Sequence, residues 1–406
     1  MNWCGKIIEN RKNTYIPVYK LGEGSFAQVW MVYDVSKKKM FAIKIFDDKE
    51  KKSAQKEYDL YEKFIKMGVR NIIKTYAYFT HKEYIMIVFD LMAGSLYDVI
   101  KYYNFSEENI NKITNSILET LIDLHSKNII HGDIKPENIL IYGQNTIHKE
   151  LLEKLSVKSS TKKIADTIKE HMYKYDTGDE SGSDSNSRTK SDSESSSRSY
   201  DNDTDLSSRL SKLSITSSKT KTNTKSSSKT SSNSSSKSEN YSKKRLLFKK
   251  HTLILKEYLQ DPITKLSDFG NSVCLTDKIK PSSLYTIYYR PPEIILGLPY
   301  DTSSDIWALG CTIYELFTRK ILFNPDKDTC DEKRSMIHQM YSVLGSFNTD
   351  MINNSPFKEI FFTNNFILKG FNPKLYHLNY NILFNKCMEL LITEPSMRTT
   401  AKKLYG

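Results

Sequence analysis

The stretch His131-Gly132-Asp133-Ile134-Lys135-Pro136-Glu137-Asn138-Ile139-Leu140 gathers two carboxylates, a lysine and a side-chain amide in one short loop, and Leu266-Ser267-Asp268-Phe269-Gly270 adds a third carboxylate far downstream. The sequence on its two sides differs in kind. Upstream, residues 15–21, 29–33, 41–46, 72–79 and 84–89 are rich in aromatic and β-branched side chains, which suit a pleated, half-buried surface and read as an antiparallel sheet. A helix is expected at 54–66, and another at 107–126, where Ile110, Ile113, Ile117, Leu121 and Leu124 form an apolar face at three-and-four spacing. Downstream the pattern turns helical, at 305–317, 335–344 and 381–392. A β-rich small lobe therefore precedes a helical large one, an α+β, bilobal fold.

Between the two quoted stretches the composition breaks. From about residue 149 to 250 the chain is rich in Ser, Thr, Lys and Asp, and such sequence cannot bury enough apolar surface to offset its ordering entropy. Residues 177–243 read as disordered, while Leu151, Leu152, Leu155, Ile164 and Ile168 keep some helical spacing on the shoulder. The domain reading is an N-terminal tail at 1–14, a small lobe at 15–92, a large lobe at 93–142 and 263–406, and a Ser/Lys-rich, largely disordered insert at 143–262. The rest is globular, with 38% apolar and 12% aromatic residues in 406, enough for a sizeable core. No apolar run reaches the roughly 18 residues of a membrane span, and the start lacks a signal-peptide core. Five scattered cysteines without C-x-x-C spacing suggest reduced thiols. The expectation is an intracellular protein with no membrane partner, cytoplasmic with nuclear entry open and monomeric by default. A net charge of +12 favours anionic partners, although an ordinary lysine-coated surface accounts for it as well.

Near the start, Leu21-Gly22-Glu23-Gly24-Ser25-Phe26-Ala27-Gln28-Val29 is a glycine loop whose backbone N–H groups are able to approach phosphate oxygens. It runs into a strand-like segment rather than a helix, which favours a hairpin lid over a nucleotide against a Rossmann turn. Taken alone, an ordinary hairpin turn fits too. In Phe41-Ala42-Ile43-Lys44-Ile45 a lysine sits within an apolar strand; Glu57 on the following helix is its natural partner if it is buried, and solvent is if the strand lies at an edge.

Taken together, residues 131–140 and 266–270 resemble the catalytic loop and the DFG metal-binding motif of the protein kinases. The resemblance implies ATP and Mg²⁺ as cofactors and phosphoryl transfer as the reaction, in which a protein chiefly positions groups and neutralises charge. It implies that Asp133 is the base, that Asn138 and Asp268 hold Mg²⁺, and that Lys135 neutralises the γ-phosphate. Lys44, paired with Glu57, would grip the α- and β-phosphates beneath the loop of Leu21, Gly22, Glu23, Gly24, Ser25, Phe26 and Ala27. Val29 and Ala42 would lie above the adenine, with Phe89 at the gatekeeper position before a hinge of Asp90, Leu91 and Met92. Tyr289-Arg290-Pro291-Pro292-Glu293 resembles the end of the activation segment, residues 305–310 the start of the central helix, and Arg398 the late arginine that pairs with Glu293.

Lysine two positions after Asp133 resembles the Ser/Thr kinases. The arginine of Tyr289-Arg290 is typical of the CMGC group, and residues 26–30, 131–140, 268–271 and Leu322-Phe323-Asn324-Pro325 look most like the SR-protein kinases. That likeness implies protein substrates with Ser or Thr acceptors, arginine/serine-rich ones among them. Ser187-Arg188, Ser197-Arg198-Ser199 and Ser208-Arg209 make the insert itself a substrate candidate, and Asp326, Asp328, Asp331 and Glu332 lie where an acidic groove would bind arginine-rich peptides. Gly132 replaces an arginine that in many kinases binds an activation-loop phosphate, so activity without loop phosphorylation is expected. Two rival readings stand beside this one. One is a pseudokinase scaffold that binds nucleotide or protein without catalysis; the other puts function in the insert, with Ser242-Lys243-Lys244-Arg245 and Lys249-Lys250 binding nucleic acid or an import receptor.

Overall fold

The structure, a computed structural model, describes residues 2–24, 26–158, 160–177, 258–276, 284–325, 331–371 and 387–406. Those up to Asp176 and from Tyr258 onward belong to one compact unit. Strands β1 (Ile8–Glu9), β2 (Thr14–Glu23), β3 (Ala27–Asp34) and β4 (Lys39–Asp47) are followed by helix α1 (Lys51–Lys66), then β5 (Thr75–His81) and β6 (Tyr84–Asp90). They build one antiparallel sheet in the order β1-β2-β3-β4-β6-β5.

The period of two assigns the side chains to faces. Ile16, Val18, Met31, Tyr33, Ala42, Ile85, Ile87 and Phe89 face the main core with α1, and Tyr15, Trp30, Val32, Phe41, Ile43, Ile45, Met86 and Val88 form a second cluster on the opposite face. Trp3 and Ile8 complete that second cluster. Residues 1–14, read from sequence as a tail, thus contain a strand paired to β2 and a buried tryptophan stacked edge-on against Tyr84. An outer sheet face this apolar needs a cover, and the short N-terminal segment supplies part of it. The strand expected at 72–79 starts only at Thr75, because Asn71 adopts a left-handed conformation (φ 53°) and Ile72 makes a single bridge to Leu266.

Beyond β6 come β7 (Gly94–Ser95), α2 (Leu96–Ile100), α3 (Glu107–His125), β8 (Ile129–Ile130) and β9 (Ile139–Ile141). Ser95 and Asp98 form a capping box on α2, and Ser106 caps α3. The chain leaves β9 and returns as β10 (Thr264–Leu266), which pairs Ile139 with Leu266, while β11 (Val273–Cys274) pairs with β8. These short pairings bring the loop after β8 and the loop after β10 side by side.

Among the described residues between β9 and β10 are two helices, α4 (Thr146–Ser156) and α5 (Thr161–Thr177). The sequence reading opened a largely disordered insert at residue 143. Helices α4 and α5 occupy 146–156 and 161–177 of it instead, with Leu151, Leu155, Ile164 and Ile168 buried. Apolar residues at three-and-four spacing give a helix a face to bury even where Ser and Lys dominate the composition. Helix α4 packs on β4, and the returning Tyr258 covers Gly143, whose φ of 147° and lack of a side chain let the ring approach. The expected disorder at 178–243, the Ser–Arg dipeptides and the basic runs lie outside the described residues.

The large lobe continues with α6 (Pro292–Ile295), α7 (Ser303–Thr318), α8 (Glu332–Leu344), α9 (Thr349–Asn354), α10 (Lys358–Phe361) and α11 (Ala401–Tyr405). Helix α7 is buried on almost every side, with Trp307 and Leu309 at its centre. Of the helix expected at 381–392, residues 381–386 lie outside the described residues, as do Asp326 and Asp328 of the expected acidic groove. Asp331 caps α8 through the N–H of Arg334. Among the described residues no helix is long and apolar enough to cross a membrane.

Candidate active site

Helix α1 buries Ala54, Glu57, Tyr61 and Phe64 along one face, so an acidic side chain falls inside its apolar stripe. Lys44, on the inner face of β4, meets it: its Nζ lies 2.9 and 2.7 Å from the Glu57 carboxylate oxygens and 3.0 Å from Asp268 Oδ1. One cation thus serves two carboxylates, which settles the edge-strand alternative: β4 is an inner strand of the sheet. Burial opposes the charge of Lys44, and Asp268 and Glu57 outweigh it, raising its pKa. Partial desolvation pushes Asp268, a half-exposed side chain, up, but Lys44, Lys135 and His131 hold it below the usual carboxylate range. Glu57, more deeply buried than Asp268, is driven upward by desolvation against the pull of Lys44.

The loop after β8 is pinned from below. Asp305 on α7 accepts from the backbone N–H of His131 (2.9 Å) and of Gly132 (3.1 Å), and from His125 Nε2 at 3.0 Å. Burial raises the Asp305 carboxyl, yet the bonds and charge of His125 and His131 bring it below its ordinary value. On this base Asp133 Oδ2 receives Asn138 Nδ2 at 3.1 Å and Lys135 Nζ at 2.6 Å. Its Oδ1 receives both the N–H (3.1 Å) and the hydroxyl (2.8 Å) of Thr286, and Lys135 also donates to the Thr286 hydroxyl at 2.8 Å.

The donor set fits a hard divalent cation. Asn138 turns its Nδ2 to Asp133, which aims its carbonyl oxygen away from that carboxylate, and Asp268 keeps a side chain 46% exposed with only Oδ1 engaged by Lys44. No cluster of three or more His, Cys, Asp or Glu side chains able to hold a metal occurs among the described residues. A cation here would rest on one carboxylate, one amide and ligand oxygens, a set typical of magnesium–phosphate sites.

Of the other expected residues, Glu23 and Gln28 pair across the hairpin and Gly24 N–H donates to the Ala27 carbonyl at 2.9 Å. No atom lies within 4 Å of where a Gly22 side chain would begin, Phe26 is exposed, and Ser25 lies outside the described residues. Leu21 and Val29 are partly buried, and Ala42 pairs with Phe89 across β4 and β6. Asp90 accepts the Tyr76 hydroxyl at 2.7 Å, and Met92 is buried where the chain passes between lobes. The late arginine is in place: Arg398 and Glu293 form two parallel bonds of 2.8 and 2.6 Å with both side chains fully buried.

Three residues here were not singled out in the sequence reading. Thr286 closes the Asp133–Lys135 cluster, Tyr61 accepts the backbone N–H of Asp268 at 2.9 Å, and Tyr285 donates to Asp305. Tyr61 alone had a clue, standing one helical turn beyond Glu57.

Among known families, residues 15–156 and 248–405 match the protein kinase domain. The chain is 24% identical over 360 residues to the dual specificity protein kinase lkh1 of Schizosaccharomyces pombe, covering 86% of this chain and 37% of that protein. It is 25% identical over 322 residues to the serine/threonine-protein kinase AFC3 of Arabidopsis thaliana, covering 78% and 57%. Against the dual specificity tyrosine-phosphorylation-regulated kinase 3 of Mus musculus it is 25% identical over 327 residues, covering 78% and 36%. The chain thus spans between about a third and somewhat over half of the length of these relatives. The gap in the family match falls within the segment between β9 and β10, and the two matched parts contain Lys44, Asp133, Asn138 and Asp268 alike. The chain belongs to the protein kinase domain family.

Proposed function

We propose that this chain transfers the γ-phosphate of ATP to serine and threonine hydroxyls of proteins. The observation that carries the reading is that the Lys44–Glu57–Asp268 cluster stands beside the Asp133–Lys135–Asn138 cluster, with Lys135 among the charges acting on Asp268 and Ser267 bonded to the Asn138 carbonyl. On this reading Asp133 accepts the proton of the acceptor hydroxyl, whose oxygen bonds to the γ-phosphorus as the bond from that phosphorus to the ADP oxygen breaks. Lys135 offsets charge on the transferred group, and Lys44, braced by Glu57, holds the α- and β-phosphates. Asn138 and Asp268 would hold the divalent cation, Mg²⁺ in this proposal, which would supply positive charge to offset that of the phosphates.

The finer substrate class follows from the SR-protein-kinase likeness: arginine/serine-rich proteins and, in the chain itself, Ser187, Ser197, Ser199 and Ser208. The five scattered cysteines, which lack C-x-x-C spacing, support an intracellular setting. The decisive experiment is phosphate transfer from labelled Mg-ATP to the protein itself, to an arginine–serine peptide and to an acidic peptide, with Asp133→Asn in parallel. Transfer that falls at least about 100-fold in Asp133→Asn is expected of a lost general base. ATP binding without transfer to any acceptor would sink the proposal and leave a nucleotide-binding scaffold.

A further inference from the structure

The catalytic loop has no side chain at position 132 with which to hold the segment that packs on it. Gly132 adopts φ 79°, and a side chain there would begin 2.8 Å from the Asn271 carbonyl oxygen. The segment is nonetheless tightly bound, and the bonds converge on Tyr285. Its hydroxyl donates to Asp305 Oδ1 at 2.9 Å, its N–H donates to the Gly132 carbonyl at 2.8 Å, and its own carbonyl accepts Arg290 Nη2 at 2.7 Å and Nε at 3.2 Å. Tyr285 is buried and sits at φ 61°, a conformation a bulky residue adopts only where its surroundings impose it. Burial, with the Asp305 carboxylate alongside, keeps its phenol protonated far above the ordinary range, so it remains a donor.

Asp305 therefore ties two partners to α7 at once: the catalytic loop through His131 and Gly132, and the segment through Tyr285. The next residue along is Thr286, which gives two hydrogen bonds to Asp133 Oδ1. We propose that Tyr285 is a positioning residue that locks Thr286 onto Asp133 through its hydroxyl bond to Asp305, assembling the site without an added phosphate. Without that bond the strained backbone at 285 has one restraint fewer, and relaxation toward negative φ carries Thr286 off Asp133.

The inference rests on the phosphotransfer reading of the site, and its test separates the two. The full chain, treated with phosphatase, is compared with Tyr285→Phe for kcat and for KM of ATP, and both are followed by amide exchange over residues 284–290. The phenylalanine keeps the ring, so the protein should fold, and kcat should drop about tenfold for the lost buried bond while KM for ATP stays within about twofold. Exchange over 284–290 should speed up while α7 stays protected. A wild-type kcat in the variant overturns the lock, and so does a phosphatase-treated parent that is inactive until rephosphorylated. Equal losses in ATP affinity and thermal midpoint would mark general damage and also overturn it. Should the parent transfer no phosphate in any state, the functional reading falls, and exchange alone decides: faster over 284–290 keeps the lock, unchanged removes it.

Discussion

The hydroxyl of Tyr61 accepts the N–H of Asp268, a residue itself held at φ 63°, and the Tyr61 ring meets Phe269 edge-on with centroids 5.0 Å apart. One side chain of α1 therefore fixes both the backbone and the neighbour of the carboxylate proposed to hold the cation. Tyr61→Phe would leave a buried N–H unpaired, at a cost of about 1–3 kcal/mol, and the backbone would shift to relieve it. The expected outcome is a half-saturating Mg²⁺ concentration raised several-fold in a phosphotransfer titration, with the thermal midpoint down only a few degrees. An unchanged Mg²⁺ requirement would show that Asp268 is held without the hydroxyl. That Asp133, Asn138, Asp268, Lys44 and Glu57 belong together was legible through the resemblance of residues 131–140 and 266–270 to protein-kinase motifs. Tyr61 and Thr286 were not, because their bonds to Asp268 and Asp133 close over 207 and 153 positions and depend on how the lobes fold together.

At the scale of elements the same division holds. Strands β2 to β6 were expected from their aromatic and β-branched content and α1, α3, α7 and α8 from helical patterns, whereas β1 was missed and α4 and α5 were only hinted at, since their apolar stripes lie inside Ser- and Lys-rich sequence. Their burial comes from docking on the small lobe, which no local pattern announces. His148 on α4 makes that docking sensitive to acid. It is buried with Nδ1 unpartnered, and desolvation together with Lys39 of β4 lowers its pKa to about 4. The folded state keeps His148 neutral while the unfolded chain protonates it near pH 6.5, so the stability it contributes is fully present above pH 6.5. It is lost as pH falls toward about 4. Amide exchange in α4, corrected for the intrinsic pH dependence, should therefore gain on the rest of the fold between pH 6.5 and 4. In His148→Leu the gain should shrink, and an identical pH profile in both proteins would assign the acid response to other groups.

At the scale of the molecule, the apolar interior of the described residues is in two parts of very unequal reach. The main core runs without a break from the inner sheet face, through α1 and Phe269, to α7 and Leu391, so the two lobes share one cooperative interior. The Glu293–Arg398 pair adds a buried tie between the segment end and the chain's last turns, whose breaking would cost about 3–5 kcal/mol. The second cluster is confined to the outer sheet face and reaches the N-terminal segment through Trp3, which packs on Tyr84 under the Lys6 ammonium. Trp3→Ala removes a buried indole, with an expected cost of about 3 kcal/mol. Because Lys44 points to the opposite face, the loss should reach stability before it reaches the site. Calorimetry should show one transition at a lower midpoint, with KM for ATP within about twofold of the parent. Two separate transitions would mean that the small lobe melts alone, and that the continuous core does not couple the lobes. A lost affinity for ATP at temperatures where the fold is intact would mean that the outer cluster sets the curvature of β3 and β4, and through it the position of Lys44.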